Sequence, residues 1–177
     1  MKVAYQGAPG AFGHQACLAF LPEYDPVAQP SFAAVIAAVE QGLAECGMLP
    51  VENNVAGPVP EAVALLGASS AVEVGRHVLP VRMHLLGLPG ASLAGMRVAI
   101  SHPVALRQCA RTLAALGLAT EEAENTAVAA RALDRLDKAA LASEAAAAAY
   151  GLAILRRDVH DSPDNATTFV VLARGER

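Results

Sequence analysis

The chain has 177 residues, 54% of them apolar and 17% charged, and a net charge of −4. That mixture excludes a disordered polymer and points to a soluble globule with a core of its own, built as one domain or two small lobes. The mild negative charge, the scarcity of basic clusters and the absence of Trp argue against a nucleic-acid partner.

No apolar run reaches the roughly 18 residues that a membrane span needs. Met1-Lys-Val-Ala-Tyr5 already reads as a strand rather than a signal peptide, so the expected location is the cytoplasm. Cys17, Cys46 and Cys109 are scattered and form no C-x-x-C. They read as buried free thiols of a reducing compartment.

In chain order, short apolar runs alternate with helical periods, the signature of an α/β protein. Lys2–Tyr5 is a strand, followed by a glycine loop through Gly13 and a helix to about Leu21. Ser31 is placed to N-cap a helix whose Phe32, Val35, Ile36, Val39 and Leu43 fall on one buried face. A strand over Cys46–Val51 ends at Glu52-Asn53-Asn54, and Pro58 suits the opening position of a helix. Ala71–Leu88 is extended and longer than a typical strand, so it is expected to run from one lobe into another.

Arg97–Ile100 is a strand, after which Ser101-His102-Pro103 starts a helix. Leu118–Ala123 is a strand, and Asn125-Thr126 caps the helix after it. Ala139–Leu141 is short and apolar. Ser143-Glu144 begins an Ala-rich helix that Gly151 terminates in a left-handed cap. Asn165-Ala166-Thr167 stands at a turn-to-strand junction that presents polar side chains outward, and Thr168–Ala173 closes the chain as a strand. If the middle stretch crosses out, Arg156–Pro163 crosses back. The expected lobes are therefore 1–78 plus 158–177, and 79–157.

The usual catalytic signatures are missing: there is no H-E-x-x-H, G-x-S-x-G or G-x-x-x-x-G-K-[ST]. Gly7, Gly10 and Gly13 are spaced G-x-x-G-x-x-G, which reads as a tight turn and a close helix approach rather than a nucleotide loop. His14, His77, His84, His102 and His160 show no ligand spacing, so no metal is expected. What recurs is a polar cluster without Lys or Arg after a strand: Glu52-Asn53-Asn54, Ser101-His102-Pro103, Asn125-Thr126 and Asn165-Ala-Thr167. Helix N-termini offer free N–H groups, and the carboxyl ends of strands bind ligands in open α/β sheets. A small dicarboxylate suits such a lining.

Ala4-Tyr5-Gln6-Gly7-Ala8-Pro9-Gly10-Ala11-Phe12-Gly13-His14, Pro50-Val51-Glu52-Asn53, Ser101-His102-Pro103 through Gln108-Cys109, Asn125-Thr126-Ala127, Tyr150-Gly151-Leu152 and Asn165-x-Thr167-x-Phe169 resemble, in order and spacing, the successive blocks of the prephenate dehydratase family. The resemblance implies two α/β lobes of the type II periplasmic-binding-protein kind, each a mixed sheet flanked by helices, with the active site in the cleft between them. It implies a homodimer that needs neither metal nor organic cofactor and contacts no nucleic acid or membrane. It implies a lyase of phenylalanine biosynthesis that converts prephenate to phenylpyruvate. By match to the family motif, Thr167 would be the proton donor, with Glu52 and Asn53 orienting substrate and hydroxyl. Ser101, Gln108, Thr126, Asn165 and Phe169 would contact substrate.

The chain departs from the family pattern at Ala11, Gly13, Asn54, Val104, Asn125 and, above all, Thr168, where an arginine is usual. Arg82 is a candidate to compensate. These changes leave room for a non-aromatising prephenate decarboxylase, an arogenate dehydratase or a non-catalytic ligand-binding relative. The sequence carries no regulatory ACT domain of the kind found in family members, so phenylalanine is not expected to regulate this polypeptide through a domain of its own.

Overall fold

A computed structural model describes residues 1–175, which divide into two compact units. The first takes Met1–Ala8, Phe12–Pro80 and the segment from Ala166 onward; the second takes Pro9–Ala11 and Val81–Asn165. The boundaries differ from the expected lobes mainly at 158–165, which belongs to the second unit. Backbone bonds hold it there: Val159 N–H to Met83 O, Asp161 N–H to Gln108 O, and Val81 N–H to Asn165 O. Glu176 and Arg177, the end of the expected first lobe, lie outside the described residues.

The first unit is built on a mixed sheet of six strands. These are β1 (Lys2–Gln6), β2 (Asp25–Gln29), β3 (Cys46–Asn53), β4 (Gly57–Pro58), β5 (Ala71–Pro80) and, after a long excursion, β11 (Ala166–Arg174). Their order is β2-β1-β3-β11-β5, with β4 paired to β3. β1 runs parallel to both neighbours, whereas β11 is antiparallel to both β3 and β5. The last strand is thus inserted in the middle of the sheet.

Helix α1 (Phe12–Phe20) covers one face, packing Ala16 and Cys17 on Tyr5, Met48, Phe169 and Val171. Helix α2 (Phe32–Glu40) covers the other, packing Val35, Ile36 and Val39 on Leu49, Val170 and Leu172. Because neighbours along a strand face opposite ways, 169/171 and 170/172 divide between the two layers.

Ser31 caps α2 by accepting from Ala34 N–H at 3.1 Å. The helix stops sooner than its apolar period suggests: Gly42 takes φ +71°, Leu43 N–H turns back to Ala38 O, and Leu43 is left 65% exposed. A glycine-terminated cap has overruled the spacing. Pro58 also differs from expectation. It lies in β4, and Pro60 opens helix α3 (Pro60–Ala68) instead. Strand β2 carries no strong sequence signal, since a five-residue edge strand with Pro26 has little apolar alternation to read.

The second unit has a five-stranded sheet of β6 (His84–Gly87), β7 (Val98–Ser101), β8 (Ala119–Glu122), β9 (Lys138–Ala142) and β10 (Ala153–Arg156), ordered β10-β6-β9-β7-β8. The pairs β7–β8 and β7–β9 are parallel, while β6–β9 and β6–β10 are antiparallel. Four short helices connect them: α4 (Pro103–Gln108), α5 (Ala110–Ala115), α6 (Thr126–Arg131) and α7 (Glu144–Tyr150). The long stretch 71–88 is therefore two strands in two units, parted between Pro80 and His84.

An Ala-rich core, including Ala129, Ala130, Ala140, Ala142, Ala146 and Ala147, lets α6 and α7 approach their sheet closely. Gly151 closes α7 at φ +64° as expected. Gly10 joins this unit at φ +85°, where a Cβ would stand 2.6 Å from Ala146 Cα. Its carbonyl accepts the Ser143 hydroxyl at 2.6 Å, and Pro9 O accepts the Tyr150 hydroxyl at 2.7 Å. The first glycine loop is thus a tether for α7, in line with its reading as a turn rather than a nucleotide site.

Candidate active site

The pairing of β3 with β11 puts the motif residues together in the first unit. From Ala173 to Phe169 the ladder is regular, ending with Phe169 opposite Pro50. Between Phe169 and Thr168 it slips, so that Thr168 lies opposite Glu52 and Thr167 opposite Asn53. The extra residue on β3 is Val51, a β-bulge. Without it, strict counting would set Glu52 against Thr167. The bulge swaps the two: Asn53 shares a face with Thr167, and Glu52 goes to the other face beside Thr168.

Asn53 is 9% exposed and uses both ends of its amide. Its Oδ1 accepts from Val55 N–H at 3.0 Å and Ala56 N–H at 2.8 Å, building the turn that brings β4 back onto β3. Its Nδ2 donates to Ala166 O at 3.0 Å and to Thr167 Oγ1 at 2.9 Å. Because Oδ1 faces two backbone donors and Nδ2 faces a carbonyl, the amide orientation is settled by its partners. Thr167 Oγ1 must therefore accept from Asn53, which leaves the threonine proton for another acceptor.

Asn54 reinforces the junction. Its N–H donates to Ala166 O at 3.0 Å, and its Oδ1 accepts from Ala166 N–H at 2.8 Å. Both sides of the Ala166 peptide are held, so the start of β11 is fixed in front of Thr167. The sequence flagged Asn54 as part of the polar cluster that ends β3 and as a departure from the family pattern. Its position beside an Asx turn was the one signal for this role.

Glu52 is exposed, opposite Thr168. Arg76, on β5, is pushed above its ordinary value first by its hydrogen bond to Glu73; the Glu52 charge acts in the same direction. Phe169, expected to contact substrate, is 2% exposed in the core with Tyr5, Met48 and Leu79. Its part is to seat β11, because its ring falls on the layer that α1 covers. Thr168 is half-buried, one strand from Val78. Arg82 is tied to Asp158 at 3.2 Å, with both side chains about half or more exposed.

In the second unit the expected contacts separate. Gln108, at the end of α4, accepts from Asn165 Nδ2 at 3.2 Å, so these two are brought together. Asn165 is 3% exposed, contrary to its expected outward position, because Val81 N–H and Gln108 draw it in. Ser101 is fully buried and donates its hydroxyl proton to Leu141 O at 2.7 Å on the neighbouring strand. It has no proton left to offer a carboxylate. Thr126 is the first residue of α6, half-buried behind its cap Asn125, whose Oδ1 accepts from Val128 N–H at 2.8 Å. The second unit's expected caps hold, but α4 and α6 are only six residues long, so any pull on an anion rests on local N–H groups rather than a strong dipole.

Four of the histidines, His14, His77, His84 and His102, act as structural groups. His77 stacks on Phe20 at 4.5 Å, and His14 lies 5.2 Å from the Tyr5 ring. His84 accepts Asp158 N–H and His102 caps α4 through Val104 N–H. The thiols are buried as expected, with Cys17 and Cys109 each pushed up to about 12 by burial.

The chain is thus a mixed two-sheet α/β protein with an amide-held threonine at a strand junction of its first unit. The prephenate dehydratase family model matches residues 3–177, and the chain belongs to that family. It is 40% identical over 177 residues to an arogenate dehydratase/prephenate dehydratase 2 of Arabidopsis thaliana, covering 98% of this chain and 46% of that one. It is 41% identical over 175 residues to a bifunctional N-acyl-homoserine lactone acylase/prephenate dehydratase of Komagataeibacter europaeus, covering 97% and 62%. The chain thus spans about half to three-fifths of the length of these curated relatives.

The fold matches the crystal structure of prephenate dehydratase from Arthrobacter aurescens in complex with L-Phe, with TM-score 0.91, 23% identity, and 100% and 63% of the two chains covered. A nutrient binding protein from Burkholderia cenocepacia aligns at TM-score 0.52 and 14% identity over 98% and 84%. That extends the likeness, in fold alone, to the binding-protein class.

Proposed function

We propose that this chain is a prephenate dehydratase. It would remove the ring carboxylate of prephenate as CO2 and the ring hydroxyl as water to leave phenylpyruvate. The observation that carries the reading is the 2.9 Å bond from Asn53 Nδ2 to Thr167 Oγ1, with the amide locked by Val55 and Ala56. The bond from the ring to the carboxylate breaks, its electron pair completes the aromatic ring, and the carbon–oxygen bond releases the hydroxyl. Thr167 hands its proton to that leaving oxygen and regains one from solvent.

An isolated threonine is a weak acid. The Asn53 donor offsets this by stabilising the oxygen as negative charge grows on it, which is where a fixed dipole acts most strongly. Aromatisation supplies the driving force, so placement suffices and the step calls for neither metal nor organic cofactor. Glu52, on the opposite face, would order the turn and the ionic surroundings rather than touch Thr167. Gln108 and Asn165 would contribute an amide pair for a carboxylate.

The reading includes a homodimer working in the cytoplasm. Among the described residues no helix is long and apolar enough to cross a membrane. Light scattering that returned a monomer mass would remove the dimer.

Purified protein incubated with prephenate should yield phenylpyruvate, read by its absorbance in alkali. Product no faster than spontaneous decay would end the proposal and leave a ligand-binding relative. The Arabidopsis relative's name motivates a second reading, with arogenate as substrate. Phenylalanine released faster from arogenate than phenylpyruvate from prephenate would favour it.

A further inference from the structure

The second unit carries an open cavity of about 320 Å³ lined by Arg111, Thr112, Ala115, Arg156, His160 and Asp161. Its polar groups are sorted by sign. Asp161, the one carboxylate, is saturated. It accepts from Arg111 N–H at 2.9 Å, from Thr112 N–H at 3.2 Å and from the Thr112 hydroxyl at 3.2 Å, and so closes the N-terminus of α5. One Arg111 nitrogen donates to Asp161 O at 2.8 Å and Nε lies 3.8 Å from Asp161 Oδ2, while the other terminal nitrogen of the guanidinium, whose side chain is 81% exposed, is left over. Arg156 is exposed and has no ion-pair partner among the described residues.

His160 is oriented from behind. Its Nδ1 accepts from Met83 N–H at 3.4 Å, which puts the neutral ring's proton on Nε2. Two guanidinium groups and the His160 Nε2 proton thus stand at a cavity whose one carboxylate is already hydrogen-bonded and paired with Arg111, so the lining carries an excess of one positive charge.

We infer that this cavity is a binding site for a small oxyanion, a carboxylate or phosphate group, held between the Arg111 and Arg156 guanidinium groups with His160 Nε2–H as the third donor. Guanidinium forks match such groups in a bidentate way, and a ring N–H fixed by its other nitrogen adds direction. The helix terminus is not the anchor, because Asp161 already fills it. None of these residues is among those proposed for the chemistry at Thr167.

The test is a titration of the isotopically labelled chain with inorganic phosphate, with acetate, and with sodium chloride at matched ionic strength. It follows the amide signals of Arg111, Thr112, His160 and Asp161. Saturable shifts confined to these residues with phosphate or acetate but not chloride are expected, and the tighter of the two names the ligand's head group. Arg156→Gln should weaken binding roughly tenfold by removing a charged donor.

His160→Asn keeps an acceptor for Met83 N–H while deleting the outward donor, and should weaken binding by a smaller factor with the fold intact. Thr167→Ala should bind the anion unchanged, which separates this inference from the catalytic one. Shifts equal in chloride, spread over the surface, or indifferent to Arg156→Gln and His160→Asn would overturn the assignment.

Discussion

Ser101 and Thr167 are hydroxyls at strand ends, one in each unit, and they stand on opposite sides of their hydrogen bonds. Ser101 donates to Leu141 O across β7 and β9, is sealed from solvent, and has its proton committed. Thr167 accepts from Asn53 Nδ2, is half-buried, and keeps its proton. The same contrast separates the asparagines. Asn125 uses Oδ1 to cap a helix, whereas Asn53 uses Oδ1 to hold a turn and so frees Nδ2 to act on another side chain. A hydroxyl or amide that completes its own backbone is structural; one that the backbone holds while an atom is left over can do chemistry.

The largest effect that would break or sharpen this contrast is at Thr167. Thr167→Ala should lower kcat by about 10²- to 10⁴-fold, the range for a lost general acid, with an unchanged circular dichroism spectrum. Activity within a few-fold of the parent would show that the free proton is not the one used. Asn53 divides the question further. Asn53→Ala leaves buried backbone donors unpaired and should cost about 1–3 kcal/mol of stability as well as activity. Asn53→Asp keeps the acceptor for Val55 and Ala56 but turns the group facing Thr167 into an acceptor, which would capture the threonine proton. It should be more stable than Asn53→Ala in denaturant titration and comparably inactive. An active Asn53→Asp enzyme would remove the donor role.

Ser101→Ala is the opposite case. Leaving Leu141 O unpaired in the core should cost about 1–3 kcal/mol, while kcat stays near the parent value. A loss of activity exceeding the loss of folded protein would put Ser101 back among the substrate contacts.

These residues also mark what can be read without coordinates. Strand and helix identities in the two units follow from period and capping chemistry. Ser31, Asn125 and Ser143 cap as their side chains dictate. The misreadings occur where a local signal is met by a longer-range one. The period through Leu43 yields to the Gly42 cap, and Pro58 loses the helix start to Pro60 because the Asn53 turn pairs Gly57 and Pro58 back onto β3.

The candidate site could be proposed from residue types and motif positions, but its wiring could not. Which of Glu52 and Asn53 faces Thr167 depends on the bulge at Val51; Pro50, a proline inside a central strand, was the sequence signal for it, but it does not say which residue is the extra one. Phe169 and Ser101 enter as substrate contacts by their place in the family motif, yet alternation sends the Phe169 side chain to the core and Ser101 spends its proton on Leu141 O.

The smallest predicted effect concerns His84, which is 3% exposed and accepts Asp158 N–H on Nδ1 at 3.1 Å. Burial lowers its pKa from the ordinary 6.5, against a weaker upward pull from the Asp158 charge. A histidine held neutral by the fold adds nothing above pH 6.5, where both states are deprotonated. As pH falls through 6.5 the unfolded chain takes up a proton that the folded chain refuses, so stability declines until the folded group titrates as well. Denaturant midpoints measured from pH 7.5 downward should therefore fall below about pH 6.5. His84→Asn, which keeps an acceptor for Asp158 N–H but cannot titrate, should flatten that decline by a fraction of its size, since other groups contribute to it. An unaltered slope would mean that the imidazole protonates in place, with Asp158 N–H moving aside to let it.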